Sequence, residues 1–364
     1  MDNSRRSFMK QAALASAAMV ASGTACAQQG APTGNAAPAE FTRIAVEETF
    51  SLPEVLDALR DMLAKDPDVE QGLTAPPYVA TDTVRSLYDL GEGRIAAMDA
   101  ARVDKQVLSL WSPGVQAFDP MLGTELARLV NDRVAAAVRE HPDRFAALAT
   151  IAPQDPAAAA QELERAVSQL GLHGVIINSH TRSEHLDDRK FWPIFEAAQA
   201  LNTPIYIHPR NAPTQMYDAF TDYTMGGALW GFAIETSTHV VRLLMSGVFD
   251  EFPNLKIVLG HLGEGLPFWL DRLDSVSARP GMPTLRRKPS EYFRNNFWIT
   301  TSAMFWDPAL VFCHAVLGAD RILFAIDSPF APSEAATSWM DAAPLPDADK
   351  RKIYQENAEA IFSL

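Results

Sequence analysis

Four residues able to handle metals and protons stand at the ends of short apolar runs. Glu47 follows Ile44 and Val46 in R-I-A-V-E-E-T-F, and His208 closes I-Y-I-H before Pro209. His261 follows I-V-L-G, and Asp327 follows I-L-F-A-I. Apolar runs that stop at a polar residue beside Gly or Pro read as buried strands ending in loops. A lone histidine there is more often a satisfied core group than a ligand. Four such tips on different strands weigh the other way, because a barrel gathers all its strand C-termini around one mouth. Glu47, His208 and Asp327 supply oxygen, nitrogen and oxygen donors. That set suits one Zn2+ or Mn2+ ion, or Mg2+, with coordination left for water or substrate. His261 then fits an acid–base role better than a fourth ligand, although spacing alone leaves both open. Glu264, three residues on, either orients His261 or caps a helix expected from about residue 266.

Around this set stand candidates for substrate binding. Arg210, in I-H-P-R, and Arg272, in F-W-L-D-R-L-D, could grip a substrate carboxylate, and Arg272 could equally pair with a helix neighbour. His180 either lines the mouth or is a plain loop histidine. Trp111, Phe330, Tyr217, Trp230 and Trp306 are candidates for an aromatic wall, against a background in which most aromatics are core. His239 sits on an apolar helix with Val240, Leu243 and Leu244 and reads as structural. His141, His173, His185 and His314 read as surface or packing residues.

The elements that must carry these residues alternate along the chain. Strands are expected at 44–49, 105–110, 145–151, 174–178, 204–208, 256–261, 297–302 and 321–327. Helices are expected at 53–64, 82–101, 122–140, 156–170, 191–201, 233–245, 266–277, 308–317 and 347–362. This is an α/β pattern of about eight strand–helix units, a length suited to a single (β/α)8 TIM-like barrel. An open doubly wound sheet is the rival from the same alternation. Polar tips at Glu47, Asn178, His208, His261, Thr301 and Asp327 favour the barrel. A long excursion follows the first strand, and its loop at 66–79 reads as a lid or substrate wall.

The chain has 364 residues, 48% of them hydrophobic, and a formal charge of −14. That charge argues against nucleic acid or an anionic membrane surface as a partner. Residues 1–27 read as a twin-arginine signal peptide. Ser4-Arg5-Arg6-Ser7-Phe8-Met9-Lys10 precedes the apolar run 12–21, and Ala25-Cys26-Ala27 offers a cleavage site. The run is too short to span a membrane. The twin-arginine export machinery is thus an expected partner, and the mature protein is expected to be periplasmic or secreted. Gly23-Thr24-Ala25 is a poor context for lipoprotein cleavage before Cys26. Cleavage after Ala27 leaves Cys313 alone, so no intrachain disulfide is expected. Residues 28–40, rich in Ala, Pro, Gly and Gln, read as a disordered linker to a barrel domain at 41–364.

The tip residues, in this order, resemble the amidohydrolase superfamily, in its branch of metal-dependent non-oxidative decarboxylases. Members of that branch act on γ-resorcylate, 2,3-dihydroxybenzoate or aminocarboxymuconate semialdehyde. The matching pieces are A-V-E-E-T-F at 45–50, R-I-A-A-M-D-A-A-R-V-D-K-Q-V-L-S-L at 94–110 and H-P-D-R-F at 141–145. Y-I-H-P-R at 206–210, the long run 240–267 and R-I-L-F-A-I-D-S-P-F at 321–330 complete them. The resemblance implies that Glu47, His208 and Asp327 are metal ligands and that His261 is the catalytic histidine, with Glu264 beside it. It implies a small-molecule carboxylate substrate, chelated through its carboxylate and an ortho hydroxyl, and no organic cofactor. Protonated Asp327 would deliver a proton to the ring carbon before CO2 leaves, with His261 stabilising charge or shuttling a proton. It also implies a homodimer or tetramer. Two positions depart from the pattern. Many members carry a ligating His where Thr49 stands, and a larger residue often stands at Ser328. The rival functions are a lactone or amide hydrolase of the same superfamily and a metal-poor binding protein, the latter motivated by Thr49.

Overall fold

The computed structural model describes residues 41–66 and 81–364. The expected signal peptide, the linker and nearly all of the loop 66–79 lie outside the described residues. Among the described residues nine strand segments form, all pairing in parallel. They are β1 (Ile44–Phe50), β2 (Lys105–Leu110), β3 (Phe145–Ala147), β4 (Ala149–Thr150), β5 (Val175–Asn178), β6 (Ile205–His208), β7 (Ile257–Leu259), β8 (Phe297–Thr300) and β9 (Ile322–Leu323). The single strand expected at 145–151 is divided at Leu148. Its N–H donates back to Leu108 at 2.8 Å, while the next N–H, of Ala149, donates forward to Gly174 at 2.8 Å. One stretch of chain therefore serves both runs, β1–β2–β3 and β4 through β9. At the other end, the N–H of Val46 donates to Phe324 at 3.1 Å and that of Thr49 to Ser328 at 2.9 Å. These bonds tie β1 to the chain that follows β9.

The inward faces explain why the apolar runs stop where they do. Ile44, Val46, Val107, Ala146, Leu148, Ile176, Tyr206, Val258, Leu323 and Ala325 form one buried cluster, floored by Ala358, Ile361 and Phe362 of the last helix. Side chains alternate faces along a strand, so the next inward residues lie one step toward the C-terminal end. There the apolar sequence gives way to Ser109, Asn178, His208, Gly260, Thr300 and Asp327. On β1 the register slips between Ala45 and Glu48, one extra residue facing β2. This bulge lets Val46 and Glu47 both face inward and turns Glu48 outward, a common use of bulges beside active sites.

Several helices differ from expectation for identifiable reasons. The stretch 82–101 is two helices, Thr81–Tyr88 and Glu92–Ala100. The break follows Asp89, whose side chain accepts the Gly91 N–H at 2.9 Å and whose carbonyl takes Arg94 Nε at 2.7 Å. The closing helix 347–362 contains a π-helical segment, Lys352–Glu356. The carbonyl of Ile353 inside it accepts the N–H of Phe324 at 2.9 Å. A widened turn frees that carbonyl for the strand end, as π-bulges do elsewhere. Helices at Thr214–Thr221, Pro289–Asn296 and Ser333–Ala342 were not expected, being short and weakly patterned. Among the described residues no helix is long and apolar enough to cross a membrane.

Candidate metal centre and active site

β1, β6 and the segment after β9 bring Glu47, His208 and Asp327 together. One ligand atom from each lies within 4.8 Å of the others. Glu47 is fully buried, and its Oε2 accepts from Tyr206 Oη and from Thr300 Oγ1, the latter at 3.0 Å. Burial, then the adjacent Glu47 charge, holds the Tyr206 phenol well above its usual range, so it remains a donor. Glu47 Oε1 has no hydrogen-bond partner among the described residues. A buried carboxylate oxygen left without one is costly unless something else occupies it. It faces His208 Nε2 at 3.5 Å and His261 Nε2 at 3.9 Å.

His208 is prepared as a ligand. Its Nδ1–H donates to the Pro209 carbonyl at 2.7 Å, so Nε2 carries the free lone pair. Burial lowers its basicity, with the Glu47 charge pulling the other way, and the ring stays neutral. The orphaned Oε1, the fixed tautomer and the N/O/O donor set fit a divalent cation. Gly260 completes this corner. An added Cβ would stand 3.0 Å from both Glu47 carboxylate oxygens, although the backbone of Gly260 (φ −66°, ψ 178°) suits any residue. Gly260→Ala is therefore expected to push Glu47 out of place. A loss of about 1–3 kcal/mol in thermal unfolding and a weaker Mn2+ isotherm would register it.

His261 opens a left-handed turn. Its φ is 52°, followed by 52° at Leu262, 79° at Gly263, 53° at Glu264 and 75° at Gly265. The glycines accept this freely, whereas each of the three other residues costs about 1–2 kcal/mol. Buried Leu262, the 2.8 Å bond from the Gly263 N–H to the Gly260 carbonyl and the Cys313 thiol on the Leu262 carbonyl hold the turn. The result aims His261 Nδ1 at Glu264 Oε1, 2.7 Å away, and Nε2 at Glu47 and Asp327 Oδ2, both at 3.9 Å. Burial alone would lower the imidazole, but Glu264 and Glu47 hold it well above the usual histidine range. A charged imidazole at the rim of two carboxylates can give up a proton and later regain it. Glu264 is thus engaged with His261, the first of the two roles left open by its spacing.

The remaining candidates divide. Phe330 stacks on Trp111, ring centroids 5.8 Å apart at 29°, three residues beyond Asp327. Trp230 and Trp306 are exposed, and Tyr217 packs under Gly226. His180 does not offer a polar contact to a substrate. Its Nε2–H donates to the Asn211 carbonyl at 2.9 Å, and Nδ1 accepts the Ser183 N–H at 3.2 Å. Burial, followed by the Arg210 charge, pushes it down to about 2, so it stays neutral. Arg210 is 1% exposed, and its Nη1 donates to the His180 carbonyl at 2.9 Å, bracing that loop from within the protein. Arg272 lies on the exposed face of the helix Leu266–Ser277, apart from the buried cluster. The polar tip of β8 is Thr300, not Thr301, whose hydroxyl bonds the Ala325 carbonyl. His239 is structural, Nδ1–H to Ser179 Oγ and Nε2 from the Leu186 N–H. His185 is a packing residue, nearly buried and 3.1 Å from Glu235.

Thr49 has work of its own. Its hydroxyl donates to the Ser328 carbonyl at 2.9 Å, the same carbonyl that takes its N–H. It joins the β1 tip to the Asp327 loop. Residues not singled out in the sequence complete the site: Tyr206 and Thr300 behind Glu47, and Glu48, Gln106 and Arg94 on the outer side of β1 and β2. Inward parity, two residues before His208, is the signal that marks Tyr206. Ser109 and Asn178 share that inward parity, and their buried side-chain oxygens Oγ and Oδ1 have no hydrogen-bond partner among the described residues.

The sequence matches the amidohydrolase family over residues 75–364, and the chain belongs to that family. Within it, the similarity falls among metal-dependent decarboxylases. It is 37% identical over 337 residues to the γ-resorcylate decarboxylase of Polaromonas sp., covering 88% of this chain and 98% of that one. The structure resembles the 5-carboxyvanillate decarboxylase of Sphingomonas paucimobilis with a TM-score of 0.86 at 45% identity, covering 89% of this chain and all of that one. It also resembles the 5-carboxyvanillate decarboxylase of Novosphingobium aromaticivorans complexed with manganese and 4-hydroxy-3-methoxy-5-nitrobenzoic acid. There the TM-score is 0.85 at 38% identity, over 89% of this chain and 96% of that one.

Proposed function

We propose that this protein is a metal-dependent, non-oxidative decarboxylase of hydroxylated aromatic carboxylic acids, a carboxy-lyase that releases CO2. The observation that carries the reading is the meeting of orphaned Glu47 Oε1, His208 Nε2 and the Asp327 carboxylate, with His261 at their rim. Glu47, His208 and Asp327 would hold a divalent ion, manganese by analogy with the related complex, and that ion would supply Lewis-acid activation of the hydroxylated acid. Asp327, protonated, delivers its proton to the ring carbon that bears the carboxylate. The carbon–carbon bond breaks, its electron pair restores the aromatic ring, and CO2 departs, so the added proton replaces CO2 on the ring. His261, tethered by Glu264, balances the charge left on Asp327 and returns a proton to it. The Trp111–Phe330 stack offers an apolar face to an aromatic ring, and Ser109 and Asn178 offer oxygens to its polar substituents.

Manganese-loaded protein given a panel of hydroxybenzoates and lactones is expected to release one CO2 per carboxylate consumed and to leave the lactones intact. Lactone hydrolysis without CO2 would replace this reading with the hydrolase of the same superfamily. The same proposal includes a closed (β/α)8 barrel, supported by the Val46–Phe324 and Thr49–Ser328 bonds across the seam. It includes a homodimer or tetramer, supported by the exposed aromatic patch of Phe268, Trp269 and Phe312, which light scattering can weigh. Export through the twin-arginine machinery to the periplasm or medium rests on the sequence of residues 4–27. A mature N-terminus other than Gln28 would count against it.

A further inference from the structure

Glu47 and Glu48 are neighbours in sequence with opposite duties. The bulge in β1 sends Glu47 inward and Glu48 outward, where it is fully buried beside Gln106 and Arg94. Glu48 Oε1 accepts the N–H of Ile326 at 3.0 Å, and Oε2 accepts the N–H of Ser328 at 3.3 Å. These two N–H groups flank Asp327, whose own φ is 77°, a conformation non-glycine residues avoid unless their surroundings impose it. One carboxylate thus grips the backbone on both sides of the strained residue. Ser328, Pro329, Ala331 and Ser333 border a cavity of about 320 Å³ shared with Arg94 and Gln106, so the loop is not packed solid on that side. Thr49 shares the hold, its N–H and hydroxyl both donating to the Ser328 carbonyl at 2.9 Å.

The support for Glu48 is itself anchored. Gln106 Nε2 donates to Glu48 Oε2 at 3.4 Å, and Gln106 Oε1 accepts from Arg94 Nη1 at 3.2 Å. Arg94 in turn holds the carbonyls of Thr49 at 2.8 Å, Ser86 at 3.0 Å and Asp89 at 2.7 Å. The chain of contacts runs from the helix Glu92–Ala100, through the outer face of β1 and β2, to the backbone of Asp327.

We infer that Glu48 is a positioning residue: it pins Ile326 and Ser328, and thereby sets Asp327 as metal ligand and proton donor. This rests on the function proposed above for Asp327. The test uses Glu48→Gln, which presents an amide donor to one of the two N–H groups. It also uses Glu48→Asp, which keeps both carboxyl oxygens but is too short to reach both N–H groups. In each, Mn2+ affinity read by electron paramagnetic resonance is expected to fall about 10–100-fold, with kcat falling alike and KM for a hydroxybenzoate nearly unchanged. Both measurements are made well below the unfolding temperature, where a merely structural loss would leave the folded fraction's affinity intact. Crystal structures of the same variants read the pin without any metal. Asp327 should leave φ 77° and its carboxylate move by about 1 Å, a shift large enough to matter for catalysis. Wild-type affinity and kcat, or an unmoved Asp327, would overturn the inference. A wild-type protein that binds Mn2+ but releases no CO2 would instead count against the decarboxylase reading, and the structural arm would still decide on the pin.

Discussion

The Asp327→Asn variant is expected to lose CO2 release by on the order of 10³-fold at saturating Mn2+ and substrate. The substitution is isosteric, and the backbone bonds around Asp327 involve Glu48, Thr49 and Phe330 rather than its own side chain. The Asp327 side chain is 17% exposed, so the new amide is not sealed into a dry interior and the fold should be retained. What disappears is specific. The amide carries no acidic proton for the ring carbon and no negative charge for a cation. His261, 3.9 Å away, cannot supply the proton in its place because Glu264 tethers it at 2.7 Å and its other nitrogen faces Glu47. Raising Mn2+ should restore occupancy without restoring turnover. Near-wild-type CO2 release from this variant would remove Asp327 from the chemistry.

His208→Ala is expected to act through the metal instead. His208 Nε2 is the only nitrogen of the candidate ligand set, and the Pro209 carbonyl fixes its lone pair on the cluster. Its loss should weaken Mn2+ binding by more than about 100-fold, beyond what removal of a supporting contact to a ligand costs. Activity should vanish at micromolar Mn2+ and recover in part at high Mn2+ or with added imidazole. The two variants are thus separated by a titration. One loses turnover at full occupancy, and the other loses occupancy. Tight Mn2+ binding by His208→Ala would place the metal elsewhere.

The strand tips are legible in the sequence because burial and chemistry change at the same residue. An apolar run must end where the inward face meets the mouth, and Glu47, His208 and Asp327 are the residues at which three runs end. Two kinds of feature escape such a pattern. The first is a single inserted residue. A period of two runs the inward face from Ile44 and Val46 on to Glu48, so it cannot show that the bulge brings Glu47 inward instead, and likewise Thr301 looks as suitable as the Thr300 that touches Glu47. The second is competition from the backbone. Arg210 and His180 have the right types for a substrate grip, but the fold buries both, turns Arg210 Nη1 to the His180 carbonyl and engages both His180 ring nitrogens with backbone groups. Arg272 falls on an exposed helix face, which its neighbours in sequence allow equally well. Thr49 shows the same competition with the opposite lesson. Its hydroxyl ties β1 to the Ser328 carbonyl, so the first strand carries one inward carboxylate and a structural clasp.

On the proposed function, one divalent ion held by Glu47, His208 and Asp327 enables loss of CO2 from a hydroxylated aromatic acid. Metal-stripped protein titrated with Mn2+ against a fixed hydroxybenzoate measures this directly. CO2 release should be absent at the start, rise with Mn2+ and level off at one ion per chain. Full activity in the stripped protein, or a plateau in bound Mn2+ with no CO2 evolved from any hydroxylated aromatic acid, would contradict it.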